Sequence, residues 1–132
     1  METVFQYDYH VGYYVYMGVF AYSVLTVCIA RIIGFFAIEF FPFIYFDNLY
    51  HLYYGLILIA GTLLWKSLYR TVRVAALGIG LGLVADDIAA IAYYFSPAEI
   101  PIQDYWGPQF LVPLGVGMAL IYFFRERIAR LP

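Results

Sequence analysis

Charged side chains and cysteines are both scarce in this sequence. Of its 132 residues 12% are charged, about half the share of an average soluble domain. The seven basic residues form no continuous stripe and the net charge is −2, which argues against a nucleic-acid-binding protein. The single cysteine, Cys28, excludes an intrachain disulfide, and its place in an apolar run favours a packing role.

The N-terminus lacks the basic segment that precedes the apolar core of a secretory signal peptide. Met1, Glu2 and Thr3 contribute no lysine or arginine. We therefore expect the first apolar run to remain in the mature protein.

Apolar residues are what the sequence has in abundance, with 65% hydrophobic and 22% aromatic side chains. Uncharged apolar runs of about 20 residues are typical of membrane-spanning helices. The sequence predicts one integral membrane domain, residues 1–132. Its predicted fold is all-α, a polytopic membrane helix bundle of four transmembrane helices, at about residues 11–34, 49–65, 74–95 and 109–124.

The segment after the first predicted span, residues 32–46, is apolar but too short to cross a membrane comfortably. Crossing takes about 20 residues, and this segment also carries Glu39 and Pro42. We interpret it as the tail of the first helix followed by an interfacial or re-entrant segment, because proline disfavours an unbroken helix. In a five-segment alternative, residues 32–46 cross alone and Arg31 lies in a cytoplasmic turn.

Basic residues are unevenly divided between the two ends of the predicted spans. Arg31 is alone at one side. The other side holds both termini, the connection between the second and third spans, and the remaining basic residues, Lys66, Arg70, Arg73, Arg125, Arg127 and Arg130. Because basic segments stay in the cytoplasm, the sequence predicts a multi-pass cell-membrane protein with both termini cytoplasmic.

Two adjacent carboxylates, Asp86 and Asp87, interrupt the third span near its middle. A charge inside a span costs about 2.5–3.5 kcal/mol on insertion scales, so an intramembrane acid marks a candidate functional site. Asp86 shares one helix face with small residues four and eight positions earlier, which is typical of close helix packing. We therefore expect Asp86 to face another helix, and Asp87 to face a second neighbour.

Three glycines stand at alternate positions in the same span: Gly78, Gly80 and Gly82. A nucleotide-binding glycine loop follows a strand, and no strand pattern precedes this run. Close helix packing explains the glycines better. We expect Gly78 and Gly82 to pack against Gly55 and Thr62 of the second helix.

A residue count places several polar side chains at one depth. Measured from the loop near Arg70, His51 and the Asp86–Asp87 pair lie within roughly 5 Å of one another along the helix axes. Asp47 lies one turn further out on the His51 face. The predicted site opens to the extracytoplasmic side and comprises Asp47, His51, Asp86 and Asp87, with Arg31 as a counter-charge and Asp104 at its margin.

One imidazole with two or three carboxylates fits three kinds of site. The first binds a divalent metal ion such as Zn, Mn or Fe. The second relays protons, and the third is a buried ion-pair cluster that fixes helix register. No complete catalytic motif is present, so no catalytic residue is predicted. His10 falls on the opposite side from His51 and is interpreted as a solvated interfacial histidine.

Two classes of function remain open. The sequence favours an accessory or structural subunit that packs in a larger membrane complex or self-associates, since it predicts no large soluble domain. The alternative is a membrane protein with an intramembrane His/Asp site that binds a metal ion or relays protons, which the polar layer favours. A third hypothesis, an intramembrane hydrolase, needs a positioned nucleophile that the sequence does not supply.

Three motifs occur in a fixed order: His51-x-x-Tyr54-Gly55, then Gly80-x-Gly82-Leu83-x-x-Asp86-Asp87, then Asp104-Tyr105-Trp106. With them, residues 47–106 resemble a group of small uncharacterised bacterial and archaeal integral membrane proteins. That group has a His-His or lone-His motif, a glycine-rich span ending in Asp-Glu, and a following Asp-Val-Tyr-Trp. The resemblance implies no known activity, but it implies one constellation of His51, Asp86, Asp87 and Asp104.

Overall fold

Four helices account for most of the chain that the structure describes. This structure, a computed structural model, describes residues 2–40, 50–94 and 107–131. The helices are α1 (Glu2–Phe40), α2 (Tyr50–Leu64), α3 (Arg70–Tyr94) and α4 (Pro108–Ala129). The predicted all-α class is therefore confirmed over the described residues.

Helix α1 is longer than the apolar run that predicted it. It starts at Glu2, before the predicted span at about 11–34, and continues past that span to Phe40. No proline occurs before Pro42, so nothing removes a backbone donor along α1. The predicted interfacial or re-entrant piece at 41–46 lies outside the described residues. The five-segment alternative stays a prediction.

Helix α3 is the centre of the arrangement. It contacts α1, α2 and α4, and α1 also contacts α4. Helices α2 and α3 are connected by the short segment 65–69. Helices α1 and α3 run in the same direction, because Gly18 lies beside Val74 and Gly82 lies beside Thr26.

Two glycines of α3 allow this close approach to α1. A methyl group on Gly78 would lie 2.6 Å from Tyr22 Cβ and 2.7 Å from the Val19 carbonyl oxygen. A methyl group on Gly82 would lie 2.8 Å from the carbonyl oxygen of Ser23. Since these distances are far inside van der Waals contact, only glycine fits at both positions.

The prediction that Gly78 and Gly82 pack against α2 is therefore wrong. The α2-facing glycine is Gly80, because a methyl group on Gly55 would lie 2.7 Å from the Gly80 carbonyl oxygen. Each helical residue turns the chain by about 100°, so positions two apart face nearly opposite sides. Alternate glycines thus serve two different neighbours of α3.

A buried hydroxyl group reinforces the contact between α1 and α3. Ser23 is fully buried, and its Oγ lies 2.8 Å from the Gly78 carbonyl oxygen and 2.9 Å from that of Val19. The hydroxyl proton therefore has an acceptor on each helix. A buried hydroxyl without such a partner costs about 1–3 kcal/mol, so this bond favours one register.

Two of the described helices contain segments long and apolar enough to cross a membrane, Met17–Phe36 in α1 and Pro108–Ala129 in α4. The apolar part of α2, His51–Leu64, is shorter. Only 28% of the most apolar stretch of α1 and 17% of that of α4 is buried within the protein. Most of this apolar surface is therefore exposed, unlike the core helix of a soluble protein.

Alanine substitutions test the glycine contacts. We expect Gly78→Ala to lower the free energy of unfolding by about 1–3 kcal/mol, because the added methyl group overlaps Tyr22 and Val19. The matched control is Gly61→Ala, where nothing lies within 4 Å. It should be neutral or stabilising by up to about 1 kcal/mol, since alanine is the better helix former. Thermal unfolding in detergent measures both, and equal effects would contradict the packing.

Candidate functional site

Three helices bring polar side chains together in one place. Arg31 comes from α1, His51 from α2, and Asp86 and Asp87 from α3. Asp86 follows Gly82 by four residues, so it lies on the face of α3 that packs against α1. We name these four side chains the Asp86 cluster.

An ion pair between Arg31 and Asp86 lies at the centre of the cluster. Arg31 Nε donates to Asp86 Oδ1 at 2.6 Å. Both residues are buried, with exposed fractions of 3% and 1%. Because water cannot reach the pair, removing one partner would leave the other as an uncompensated buried charge.

His51 joins the cluster from the other side of Asp86. Its Nδ1 lies 3.2 Å from Asp86 Oδ2 and 3.7 Å from Asp87 Oδ1. The first contact is a hydrogen bond when Nδ1 carries a proton. The His51 side chain is 32% exposed, whereas those of Asp86 and Asp87 are almost fully buried. His51 is therefore the accessible edge of the cluster.

Asp87 also supports the start of α2. Its Oδ2 accepts the backbone N–H of Leu52 at 2.8 Å. The first N–H groups of a helix have no acceptor within the helix, and the positive end of its dipole favours a negative charge nearby. The first turn of α2 contains no acidic residue. Asp87 supplies this charge from α3.

In each carboxylate, one oxygen accepts a hydrogen bond from a neighbouring helix and the other faces His51. Arg31 holds Asp86 Oδ1 and the Leu52 N–H holds Asp87 Oδ2. One ligand atom from each of His51, Asp86 and Asp87 falls in a group whose members all lie within 4.8 Å. In a tetrahedral zinc site with bonds of about 2.0–2.1 Å, the ligand atoms are about 3.3 Å apart. The 3.2 and 3.7 Å distances are close to that spacing.

The charges of the cluster balance only with one more positive charge. Arg31 contributes one positive charge against the two carboxylates, Asp86 and Asp87. A buried excess of negative charge is costly. A proton on His51 or on a carboxylate makes the cluster neutral, whereas a bound divalent metal ion removes the negative excess and leaves a net charge of +1. These choices correspond to different functions.

The structure thus brings together His51, Asp86, Asp87 and Arg31. Two other predicted site residues, Asp47 and Asp104, lie outside the described residues, and the metal-binding role of the predicted set stays a prediction. His10 is on α1, about 31 Å along the axis from Arg31, at the rise of an α-helix.

The N–H of Leu52 is the polar group of the site that sequence reasoning missed. A backbone donor leaves no mark in the sequence. Its only signal is indirect, because the first turn of α2 contains no acidic residue of its own.

Comparison with known proteins assigns this chain to no family. No protein-family model, curated protein or solved structure matches the chain. The motif resemblance to small bacterial and archaeal membrane proteins therefore stays a prediction.

Proposed function

We propose that this chain is a multi-pass membrane protein that binds one divalent metal ion in the Asp86 cluster. The observation that carries the proposal is the group of half-buried His51 with buried Asp86 and Asp87, whose ligand atoms lie within 4.8 Å of one another. In each carboxylate the oxygen that faces away from His51 is held by a donor. Such outer contacts orient metal ligands in known sites.

The ligand types favour a first-row divalent ion. One imidazole with two carboxylates suits Zn, Mn or Fe. Three protein ligands leave a coordination position open, as in catalytic zinc sites, whereas structural zinc sites have four protein ligands. The exposed edge of His51 gives the ion a route to the buried carboxylates.

Membrane placement is supported by the exposed apolar surface. On α2, five large side chains are at least half exposed: Tyr53, Tyr54, Leu56, Ile57 and Leu64. Large contiguous apolar patches are unfavourable in water and are covered by lipid or by a partner. Helix α3, which carries the carboxylates, has a neighbour on three sides. Four spans would therefore shield Asp86 and Asp87 from lipid.

A proton relay is the second candidate function. The 3.2 Å contact between His51 Nδ1 and Asp86 Oδ2 favours it, because that geometry accommodates a shared proton. One added proton also makes the four-residue cluster neutral. The accessory-subunit hypothesis has no comparable support, since bilayer lipid can cover the same apolar faces, and it stays a prediction.

Metal content tests the first candidate. Protein purified in detergent and loaded with zinc should retain about one ion per chain and unfold at a higher temperature than the metal-free protein. We expect His51→Ala to lower zinc affinity at least about 100-fold, because it removes a direct ligand. His10→Ala is the matched control and should bind zinc as the unchanged protein does.

Unfolding of the metal-free protein distinguishes a structural cluster from a proton relay. If zinc neither binds in a fixed ratio nor shifts the unfolding temperature, the metal proposal is wrong. His51→Ala should then lower the unfolding temperature if the cluster is structural. It should leave that temperature nearly unchanged if His51 relays protons.

The proposed topology has both termini in the cytoplasm. The basic residues at the 65–73 and 125–130 ends support it. In a Cys28→Ser background, single cysteines at positions 3 and 130 should react with an impermeant maleimide from the same side of the membrane. Labelling from opposite sides would exclude an even number of spans.

A further inference from the structure

The segment that connects α2 and α3, together with the helix residue on each side of it, combines exposed apolar and exposed basic side chains. Leu64, Trp65 and Tyr69 are 82%, 64% and 81% exposed. Lys66 and Arg70 are exposed beside them, and among the described residues neither forms an ion pair with a carboxylate. We name these five side chains the aromatic–basic turn.

Arg73 fixes the backbone of this turn. Its Nη2 donates to the carbonyl oxygens of Lys66 at 3.0 Å and Trp65 at 3.4 Å. Its Nη1 donates to the Leu131 carbonyl oxygen at 3.5 Å, which connects the turn to the end of α4. Because these partners are carbonyl groups, they do not cancel the charge of Arg73. The backbone of the turn is therefore held by Arg73, whose positive charge remains available beside it.

The neighbouring end of α4 adds to this positive charge. It carries Arg125, Arg127 and Arg130 against one carboxylate, Glu126, which lies 4.0 Å from Arg130. Both members of that pair are more than half exposed, so water screens it.

Helix α1 carries two acidic residues in its part toward this end, Glu2 and Asp8. Gly18 is level with Val74 of α3. Asp8 is ten residues before Gly18, about 15 Å further along the axis, whereas Arg70 is only about 6 Å from Val74. Among the side chains that the structure describes at this end, positive charge therefore predominates.

We propose that the aromatic–basic turn binds the headgroup of an anionic phospholipid. Lys66 and Arg70 contact the phosphate, Trp65 and Tyr69 lie at the level of the headgroups, and Leu64 faces the acyl chains. Tryptophan and tyrosine concentrate at membrane interfaces, and basic residues beside a span attract anionic lipid. The inference rests on the membrane placement proposed above and is independent of the metal site.

Trp65 provides the probe for this contact. The chain has two tryptophans, so Trp106→Phe leaves Trp65 alone, and Trp106→Tyr is a second background if the first folds poorly. The protein is reconstituted in vesicles of phosphatidylcholine and phosphatidylglycerol, with one or the other lipid brominated at equal mole fraction. Bromine quenches tryptophan fluorescence only at close range. We expect stronger quenching by brominated phosphatidylglycerol, corresponding to an enrichment of about fivefold for each contacting basic residue.

Charge-removal variants locate the contact. Lys66→Gln with Arg70→Gln should make the two brominated lipids quench equally. Arg127→Gln removes a charge from the same end of the protein but from α4, so it should keep the preference. If Arg127→Gln removes as much of the preference as the double variant, the turn is not the binding site and the proposal is wrong.

Two further outcomes separate this proposal from the membrane placement. If both brominated lipids quench equally in the protein that retains Lys66 and Arg70, the proposed binding of an anionic headgroup is wrong, although Trp65 still lies at the membrane. Absence of quenching by either lipid would contradict the placement of the turn at a membrane, and with it the proposed topology.

Discussion

The carboxylate of Asp86 is the constraint on which the arrangement of three helices depends. It belongs to α3, accepts a hydrogen bond from Arg31 Nε of α1, and lies 3.2 Å from His51 Nδ1 of α2. An isolated buried charge costs several kcal/mol, so both neighbours must be in register for Asp86 to be tolerated. The glycines that face α1 and α2 make this possible, because they let both helices approach α3 closely.

Fold and site share the same atoms in the Asp86 cluster. Asp87 uses one oxygen to support the first turn of α2 and turns the other toward His51. Asp86 likewise uses one oxygen to hold α1 and turns the other toward His51. The contacts that hold the helices together thus also orient the oxygens that face His51, so binding at the cluster and stability of the fold are expected to change together.

Sequence patterns were sufficient for some of these features and insufficient for others. Apolar runs predicted helices, and counting residues across a short turn placed His51 near Asp86, because the rise per residue is constant. The same pattern could not tell which neighbour each glycine of α3 meets, since that depends on how three helices are placed around it. The Leu52 N–H is invisible in the sequence, because every residue except proline has one.

The most direct test of this account is whether Arg31 and Asp86 depend on each other. In the background that retains Arg31, Asp86→Asn should destabilise the protein, because it removes the buried negative charge that compensates Arg31. In an Arg31→Met background the same substitution should stabilise, because it removes a buried charge that has lost the Arg31 guanidinium, and the coupling should reach about 3 kcal/mol. Unfolding free energies in detergent measure all four proteins. An equal effect of Asp86→Asn in both backgrounds would contradict the account.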